Sequence, residues 1–378
     1  MRKHTDTSKE IVMRSVHSGR LERWLGKERV EYISRSMKGW YGPPIHILDC
    51  PGSVLVCGDG DFIGPFDRGV FVSAMDALRE AYKRAAAVPP GKFYAGFTSI
   101  SDALARASGG DGQIRVFNKV GPTGVVAVTS SLWRLGPQPP VGAAPAAAAG
   151  GTAFTSASVG ALSFNNPATG TLHLVGADVS ASVINNSLLL YDLLFGVAKT
   201  MNSTGTEAVT GVPTRYQSVT ASAMDYIGGN FLFVQVGGTA LAATAHNWTV
   251  CTYLDQANAA STLPSLTGNS GAIVDRLDHP VGQWFAPLES GDVGIKALTQ
   301  MQCSALVATG VIWFMIGHPL GFMSFPVINS MMPFDWLTNR NQAPRIFDSA
   351  CLAFLEPTKP ATGATTYTGS IHLTGAAP

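Results

Sequence analysis

Hydrophobic and polar residues follow two different patterns along this chain, and the change falls near residue 136. Before it, apolar residues recur at helical spacing, as in Phe71, Ala74, Met75 and Leu78. After it, short apolar or alternating runs recur, separated by Gly, Asn, Pro and Thr. That second pattern is typical of antiparallel strands joined by turns. The sequence therefore predicts a first part rich in helices and a second part built of strands.

Three amphipathic helices are predicted in the first part. The first starts at a Thr-x-x-Glu capping box at residues 7–10 and runs towards Gly19. The second covers residues 20–38, and the third begins at Asp67 and stops at two prolines. Apolar runs at 45–48 and 54–56, between the second and third helices, predict a short hairpin.

The rest of the chain is predicted to be mainly β, after a short helix at 102–107 and strands at 114–117 and 125–128. Strands are expected near 161–165, 170–176, 180–184, 187–195, 216–222, 230–237, 247–254, 271–276, 293–303, 305–316, 349–356 and 366–373. Short strands at this spacing, without an internal repeat, favour a sandwich over a propeller. The predicted fold is an α+β N-terminal domain followed by an antiparallel sandwich of jelly-roll type.

Residues 136–151 contain only Gly, Pro, Ala, Gln and Val. Proline makes such a segment extended and semi-stiff, and its small side chains offer little to a core. The sequence predicts a linker here, which divides the chain into an attachment domain at 1–135 and a β domain at 152–378.

Charge is distributed as unevenly as the hydrophobic pattern. Residues 1–135 hold 19 Lys/Arg and 13 Asp/Glu, whereas residues 136–378 hold 7 and 12. The second part therefore carries far fewer charges than the roughly 25% usual in soluble domains. Such a surface is either polar through Ser, Thr and Asn, or covered by neighbours in an assembly. The second interpretation is favoured.

The first 38 residues form a basic segment, with ten Lys/Arg against five Asp/Glu. They fit a solvated helix face, a contact with an acidic protein surface or a contact with nucleic acid. Interspersed acids and the lack of an aromatic platform argue against nucleic acid. Attachment to protein is favoured, through apolar anchors surrounded by basic residues: Arg20, Leu21, Arg23, Trp24, Leu25, Lys27, Arg29, Trp40 and Tyr41.

The sequence contains no strong catalytic signature. The eight histidines are scattered, and none has a metal-ligand spacing to Cys, Asp or a second His. The Gly-Asp-Gly-Asp run at 58–61 lacks the third carboxylate of a calcium loop and is read as a tight turn. His318, in a Gly-His-Pro sequence, is read as a turn residue. No catalytic, cofactor or metal site is predicted, and the chain is expected not to be an enzyme.

The cysteines and the apolar runs indicate in which cellular compartment the protein is expected. Five cysteines, an odd number in apolar surroundings, indicate buried thiols, not a disulfide framework. Residues 297–334 carry no charge, but the longest unbroken apolar run there is 311–316. A membrane span needs about 20 apolar residues, so strands are predicted and no membrane partner is expected. The polar N-terminus lacks a signal-peptide pattern, which predicts assembly in a cytoplasm.

Five short segments of the chain carry a resemblance to a known family. Two are in the N-terminal part, at 36–45 and 58–64, and three are in the β part, at 188–195, 212–216 and 347–355. They resemble structural proteins that are encoded beside the capsid genes of tailed bacteriophages. The resemblance implies a virion component without catalytic residues, most plausibly a decoration or cement protein on the capsid exterior. It implies that the partners are the major capsid protein or another virion protein, and copies of the chain itself in a homotrimer.

Two alternatives remain open beside the structural role. A head fibre, spike, collar or tail protein that binds a receptor or carbohydrate would use the same β fold, with aromatic residues at one end. The candidates for such a surface are Trp248, Trp284, Trp313 and Trp336, all of which fit a core equally well. A polysaccharide- or peptidoglycan-cleaving enzyme is the third, least favoured hypothesis.

Overall fold

A computed structural model gives the fold of the protein. It describes the backbone of four short strands before residue 68, Phe97, and residues 100–376 except 124–125, 218–228, 338–342 and 358–362. The chain divides into two compact units, Met1–Pro89 and Pro90–Pro378.

The first unit contains a four-stranded antiparallel sheet with its strands in sequence order. The strands are β1 (Glu31–Ile33), β2 (Ile45–Cys50), β3 (Ser53–Gly58) and β4 (Asp61–Asp67). Strands β2 and β3 confirm the predicted hairpin. Only residues 59 and 60 separate β3 from β4, which pair antiparallel, so the 58–61 run spans a hairpin connection as the turn interpretation predicts.

Strand β1 corrects the predicted second helix. Glu31–Ile33 pairs antiparallel with Ile47–Asp49 of β2, so the helix cannot extend to residue 38. Tyr32 and Ile33 are good strand formers, and an available sheet edge outweighs a weak helical periodicity. The remainder of the three predicted helices lies outside the described residues.

The second unit is mostly antiparallel sheet, which confirms the predicted β architecture in the described part of the chain and is consistent with a sandwich. One helix is described there, α1 (Ile100–Ser108), and it confirms the prediction at 102–107. An Asp102–Arg106 ion pair one turn apart, with Nε–Oδ1 at 2.9 Å, supports it.

A central sheet of the second unit has the order β12-β17-β10-β20-β6, with β8 also paired to β10. Its strands are β6 (Ser130–Ser131), β8 (Thr152–Ala153), β10 (Asn186–Thr200), β12 (Phe231–Val236), β17 (Val311–Phe325) and β20 (Leu352–Glu356).

A second sheet has the order β18-β9-β21-β5-β7, with β19 paired to β9. Its strands are β5 (Gly112–Val120), β7 (Pro137–Gln138), β9 (Thr171–Ala181), β18 (Met332–Asp335), β19 (Arg345–Ile346) and β21 (Thr366–Ala376). A third sheet has the order β11-β16-β13-β14, with β15 paired to β13. Its strands are β11 (Glu207–Ala208), β13 (Asn247–Asp255), β14 (Ala260–Thr262), β15 (Leu266–Thr267) and β16 (Ile295–Cys303).

The long central strands β10 and β17 are buried over most of their length. One apolar cluster joins them to the second sheet, and another joins them to the third. A further cluster, with Trp133, Phe154 and Trp313, also contains central-strand residues. A strand covered on both faces reads as a continuous apolar run, which explains the run at 188–195.

Residues 136–151 are part of the β body and not a free linker, so no domain boundary falls there. The Gly142 amide donates to the Trp133 carbonyl at 2.8 Å, and the Ala198 amide donates to the Ala146 carbonyl at 3.0 Å. The buried Lys119 ammonium donates to the Pro139 carbonyl at 2.9 Å. The small side chains that predicted a linker instead permit close approach: a Cβ on Gly142 would lie 2.2 Å from the Trp133 ring.

Several other predicted elements differ from the observed ones. The runs at 161–165 and 271–276 form isolated bridges instead of strands, and the described residues of 125–128 form no strand. His318 lies within β17 and not in a turn. Pro319 is accepted there because pairing with β12 ends at Gly317 and a bulge in the β10 pairing follows it.

Candidate functional site

The nine residues predicted for the attachment surface, from Arg20 to Tyr41, all lie outside the described residues. Their role therefore stays a prediction. The three described cysteines, Cys251, Cys303 and Cys351, are free and buried, which confirms the thiol interpretation for these three.

A buried ion pair joins the centre of β10 to the loop before β12. Nε and Nη2 of Arg215 donate to the two carboxylate oxygens of Asp192, each at 2.7 Å. Nη1 and Nη2 also donate to the carbonyls of Phe154 and Leu193, each at 3.0 Å. The Cys351 amide donates to Asp192 at 2.8 Å. Both charges are thus compensated by bidentate and backbone contacts.

Each member of this pair stabilises the charge of the other. Burial acts to lower the pKa of Arg215, but the charge and hydrogen bonds of Asp192 raise it. Burial raises the pKa of the Asp192 carboxyl, and the charge of Arg215 acts in the opposite direction. The pair is therefore a structural lock, by which we mean that it ties β10 to the residue before β20 and to the segment that carries Arg215.

A stacked tyrosine and histidine extend the lock to β17. The Tyr216 ring lies parallel to His318, with centroids 3.7 Å apart and planes at 7°. His318 Nδ1 bonds the Asn230 Oδ1 at 2.8 Å, and Asn230 Nδ2 donates to the Tyr216 carbonyl at 3.3 Å. Tyr216 has φ of 55°, a strained value for a bulky residue. These contacts hold that backbone in place.

His318 should make the protein sensitive to acid. Burial lowers its pKa from 6.5 to about 3. Between these values only the unfolded chain takes up the proton, so the free energy of unfolding falls as the pH falls. Between pH 6 and pH 4, the free energy of unfolding of the unsubstituted chain should fall more steeply than that of the His318→Gln variant. The two slopes should differ by about 1.4 kcal/mol per pH unit. Denaturant unfolding across that range measures both curves, and parallel curves would contradict the assignment.

A second buried polar centre surrounds Asp278. Its carboxylate accepts from Trp248 Nε1 at 2.7 Å, His246 Nε2 at 2.9 Å and the Asn269 amide at 2.6 Å. His246 Nδ1 bonds the Thr244 carbonyl at 2.9 Å. Burial acts to lower the pKa of His246, but the hydrogen bond and charge of Asp278 raise it. Both ring nitrogens of His246 therefore face hydrogen-bond acceptors, which favours the form of the imidazole that donates from both.

A serine, a histidine and an aspartate also meet on the second sheet. Ser370 Oγ lies 3.1 Å from His372 Nε2, and Asp178 Oδ2 lies 3.4 Å from the same nitrogen. A serine nucleophile system needs the serine on one ring nitrogen and the carboxylate on the other. The arrangement on this sheet does not have that geometry.

An open groove of about 670 Å³ lies at the start of β12. Phe231, Trp284 and Phe285 form its aromatic part, and Glu289 and Asp292 supply carboxylates. We call this the Trp284 groove. Its described lining residues include no Lys or Arg, so the described part of the groove is acidic.

The four tryptophans proposed from the sequence for a binding surface differ in their exposure. Trp248, Trp313 and Trp336 are buried in the cores. Trp284 is only partly buried and lines the groove. Of these four residues, Trp284 alone is placed to meet a ligand.

The surface is even poorer in charge than the sequence indicated. Sixteen charged side chains are described between residues 136 and 376. Half of them are buried: Asp192, Arg215, Asp255, Asp275, Arg276, Asp278, Lys296 and Glu356. Of those that reach the surface, Lys199 and Glu207 pair with each other.

Two uncharged loops form an apolar end of the second unit. The loops between β9 and β10 and between β17 and β18 are joined by a hydrogen bond from the Asn329 amide to the Ala181 carbonyl at 2.9 Å. They expose the large apolar side chains Ile184 (48%), Val327 (48%), Ile328 (51%) and Met331 (54%). We call this set the apolar end. Adjacent exposed apolar residues mark an interaction surface more often than isolated ones do.

Comparison with known proteins identifies no relative: no family model, curated protein or solved structure matches the chain. Among the described residues, no helix is long and apolar enough to cross a membrane. Within the same residues, no three His, Cys, Asp or Glu side chains are grouped to hold a metal ion.

Proposed function

We propose that this protein is a structural component of a tailed-bacteriophage virion, of the capsid decoration or cement type. It acts without catalysis, binding the shell through its N-terminal residues and clustering through its β body. The observation that carries the proposal is the charge-poor surface of residues 136–376 in the second unit, together with the apolar end of that unit. Both are expected of a subunit whose neighbours cover it.

A closed cluster of copies is the simplest way to cover such a surface. A homotrimer would bring equivalent apolar ends towards one axis and leave no open contact for further growth. Its interface would be apolar and would lack the salt dependence of a contact between charged surfaces. The other partner is the major capsid protein or another virion protein, met by the basic N-terminal segment.

The segments on which the resemblance to phage structural proteins rests come together in the fold of the β part. The three segments in the β part contribute Asp192, Arg215 with Tyr216, and Cys351, which meet at the buried ion pair. Asp192 is 23 residues from Arg215 and 159 residues from Cys351, so proteins that share these three segments would maintain one common structural centre. In our proposal the β body is a jelly-roll-like sandwich, and an α+β domain before it attaches to the shell.

Removal of residues 1–38 tests the attachment role. We expect the shortened protein to keep the cooperative unfolding transition of the β body but to be absent from purified particles. Particle composition after complementation with full-length or shortened protein measures this. In a second variant, the Lys and Arg residues between 20 and 29 become Gln. It should also weaken incorporation, while the unfolding transition of the β body stays unchanged. Normal incorporation of the shortened protein would contradict the proposed attachment.

A further inference from the structure

We propose that the Trp284 groove is a binding site for a neutral or amino-bearing oligosaccharide. This role goes beyond the virion function proposed above and does not depend on it. The inference rests on an aromatic platform, two carboxylates and the absence of Lys and Arg from the described residues that line the groove, all within one open cleft.

The aromatic platform is rigidly backed. The Trp284 ring stacks on Phe322 of β17, with centroids 5.2 Å apart and planes at 9°. Phe231 and Phe285 continue it, with centroids 5.3 Å apart, and Phe285 in turn meets the buried Phe233 at 6.3 Å. The face of an aromatic ring is electronegative and attracts the weakly positive C–H groups of a sugar ring. A flat ring on a sheet can accept one face of a hexose without reorganising.

The carboxylates of the groove are positioned by the third sheet. Tyr253 of β13 donates its hydroxyl proton to Asp292 Oδ2 at 2.6 Å and accepts the Glu289 amide at 3.0 Å. The Thr262 amide donates to Glu289 Oε2 at 3.2 Å. The remaining acceptor capacity of these carboxylates suits hydroxyl or ammonium donors.

The charge of the groove selects among ligands. An anionic glycan would meet two carboxylates and no Lys or Arg of the lining. A purely apolar peptide would cover carboxylates without satisfying them, at a cost in free energy. A neutral hexose or a protonated amino sugar matches both the aromatic face and the acceptors, which is why we commit to that class.

The test measures binding of the full-length protein to an array of neutral, amino-bearing and acidic oligosaccharides. Positive members are then titrated in solution by isothermal calorimetry, which reports on the unsubstituted chain and on variants of Trp284 alike. We expect neutral or amino-bearing members to bind and acidic ones to fail. The Trp284→Ala variant should bind about tenfold more weakly, and Trp284→Phe should keep most of the affinity. The Leu306→Ala variant changes an exposed residue outside the groove and should bind normally.

Further variants distinguish a loss of binding from a loss of folding. Thermal unfolding of Trp284→Ala shows whether the substitution only destabilises the body. If it does, Asp292→Asn combined with Glu289→Gln serves instead, and should weaken binding of a glucosamine tetramer more than that of a glucose tetramer. The proposal is overturned if no array member binds, if acidic members bind best, or if every groove variant binds glycan with unchanged affinity. The proposal is also rejected if an apolar peptide displaces the bound glycan and no competing glycan does.

Discussion

Replacing Arg215 with methionine is expected to lower the free energy of unfolding by about 3–5 kcal/mol, since it removes one partner of a buried ion pair. The Asp192 carboxylate would remain buried with only the Cys351 amide among the donors described above. Its pKa would then rise further, and folding would require it to hold a proton. A carboxyl with a raised pKa loses stability as pH rises, so the loss should be larger at pH 8 than at pH 5.

Denaturant unfolding at both pH values measures this loss. A matched control is Lys199→Met, which breaks the more exposed pair with Glu207 and should cost less than about 1 kcal/mol. Combining Asp192→Leu with Arg215→Met should recover part of the stability, because no uncompensated charge remains. If Arg215→Met cost no more than Lys199→Met, the lock would have no energetic importance.

Placing aspartates at both Val327 and Ile328 is expected to separate the proposed cluster into monomers. The two residues lie in the apolar end and are about half exposed, so the folded subunit should tolerate the change. In an apolar interface each carboxylate would be desolvated beside equivalent charges of neighbouring copies. The molar mass in solution, measured by light scattering, should fall to that of one chain, while the thermal transition persists.

The control for this experiment is Leu306→Asp. Leu306 precedes β17, whereas Val327 and Ile328 follow it, and its side chain is 56% exposed. A strand of 15 residues separates the two positions by roughly 50 Å, so Leu306→Asp should leave the mass unchanged. Equal dissociation by both variants would point to a general effect of added charge, and an unchanged mass in the Val327 and Ile328 variant would remove the apolar end from the interface.

Much of the β architecture could be predicted because its strands carry strong local signals. The runs at 187–195 and 230–237 match β10 and β12 closely, since buried strands need apolar side chains on both faces. The prediction of a linker at 136–151 is wrong because the segment lacks large apolar side chains and yet is part of the β body. Its small residues pack through backbone hydrogen bonds to Trp133 and Ala198, which composition cannot reveal.

The candidate sites were harder to predict because their parts are distant in sequence. Asp192 and Arg215 are 23 residues apart, and nothing local marks them as partners. A signal existed in hindsight: both are isolated charges in long uncharged stretches, where a charge must be compensated if buried. The groove combines Phe231 with residues near 290, and the buried Tyr253 of a third segment holds Asp292 by a hydrogen bond. Of these residues, only Trp284 could be nominated from the sequence.

The measurement that tests the account most directly is the molar mass of the unmodified full-length protein in solution over a range of concentrations. A subunit that lives among copies of itself should give a stable mass of three times 39.7 kDa, unaffected by moderate salt. A single chain of 39.7 kDa that stays dispersed at high concentration would contradict the claim that its uncharged surface exists to be covered.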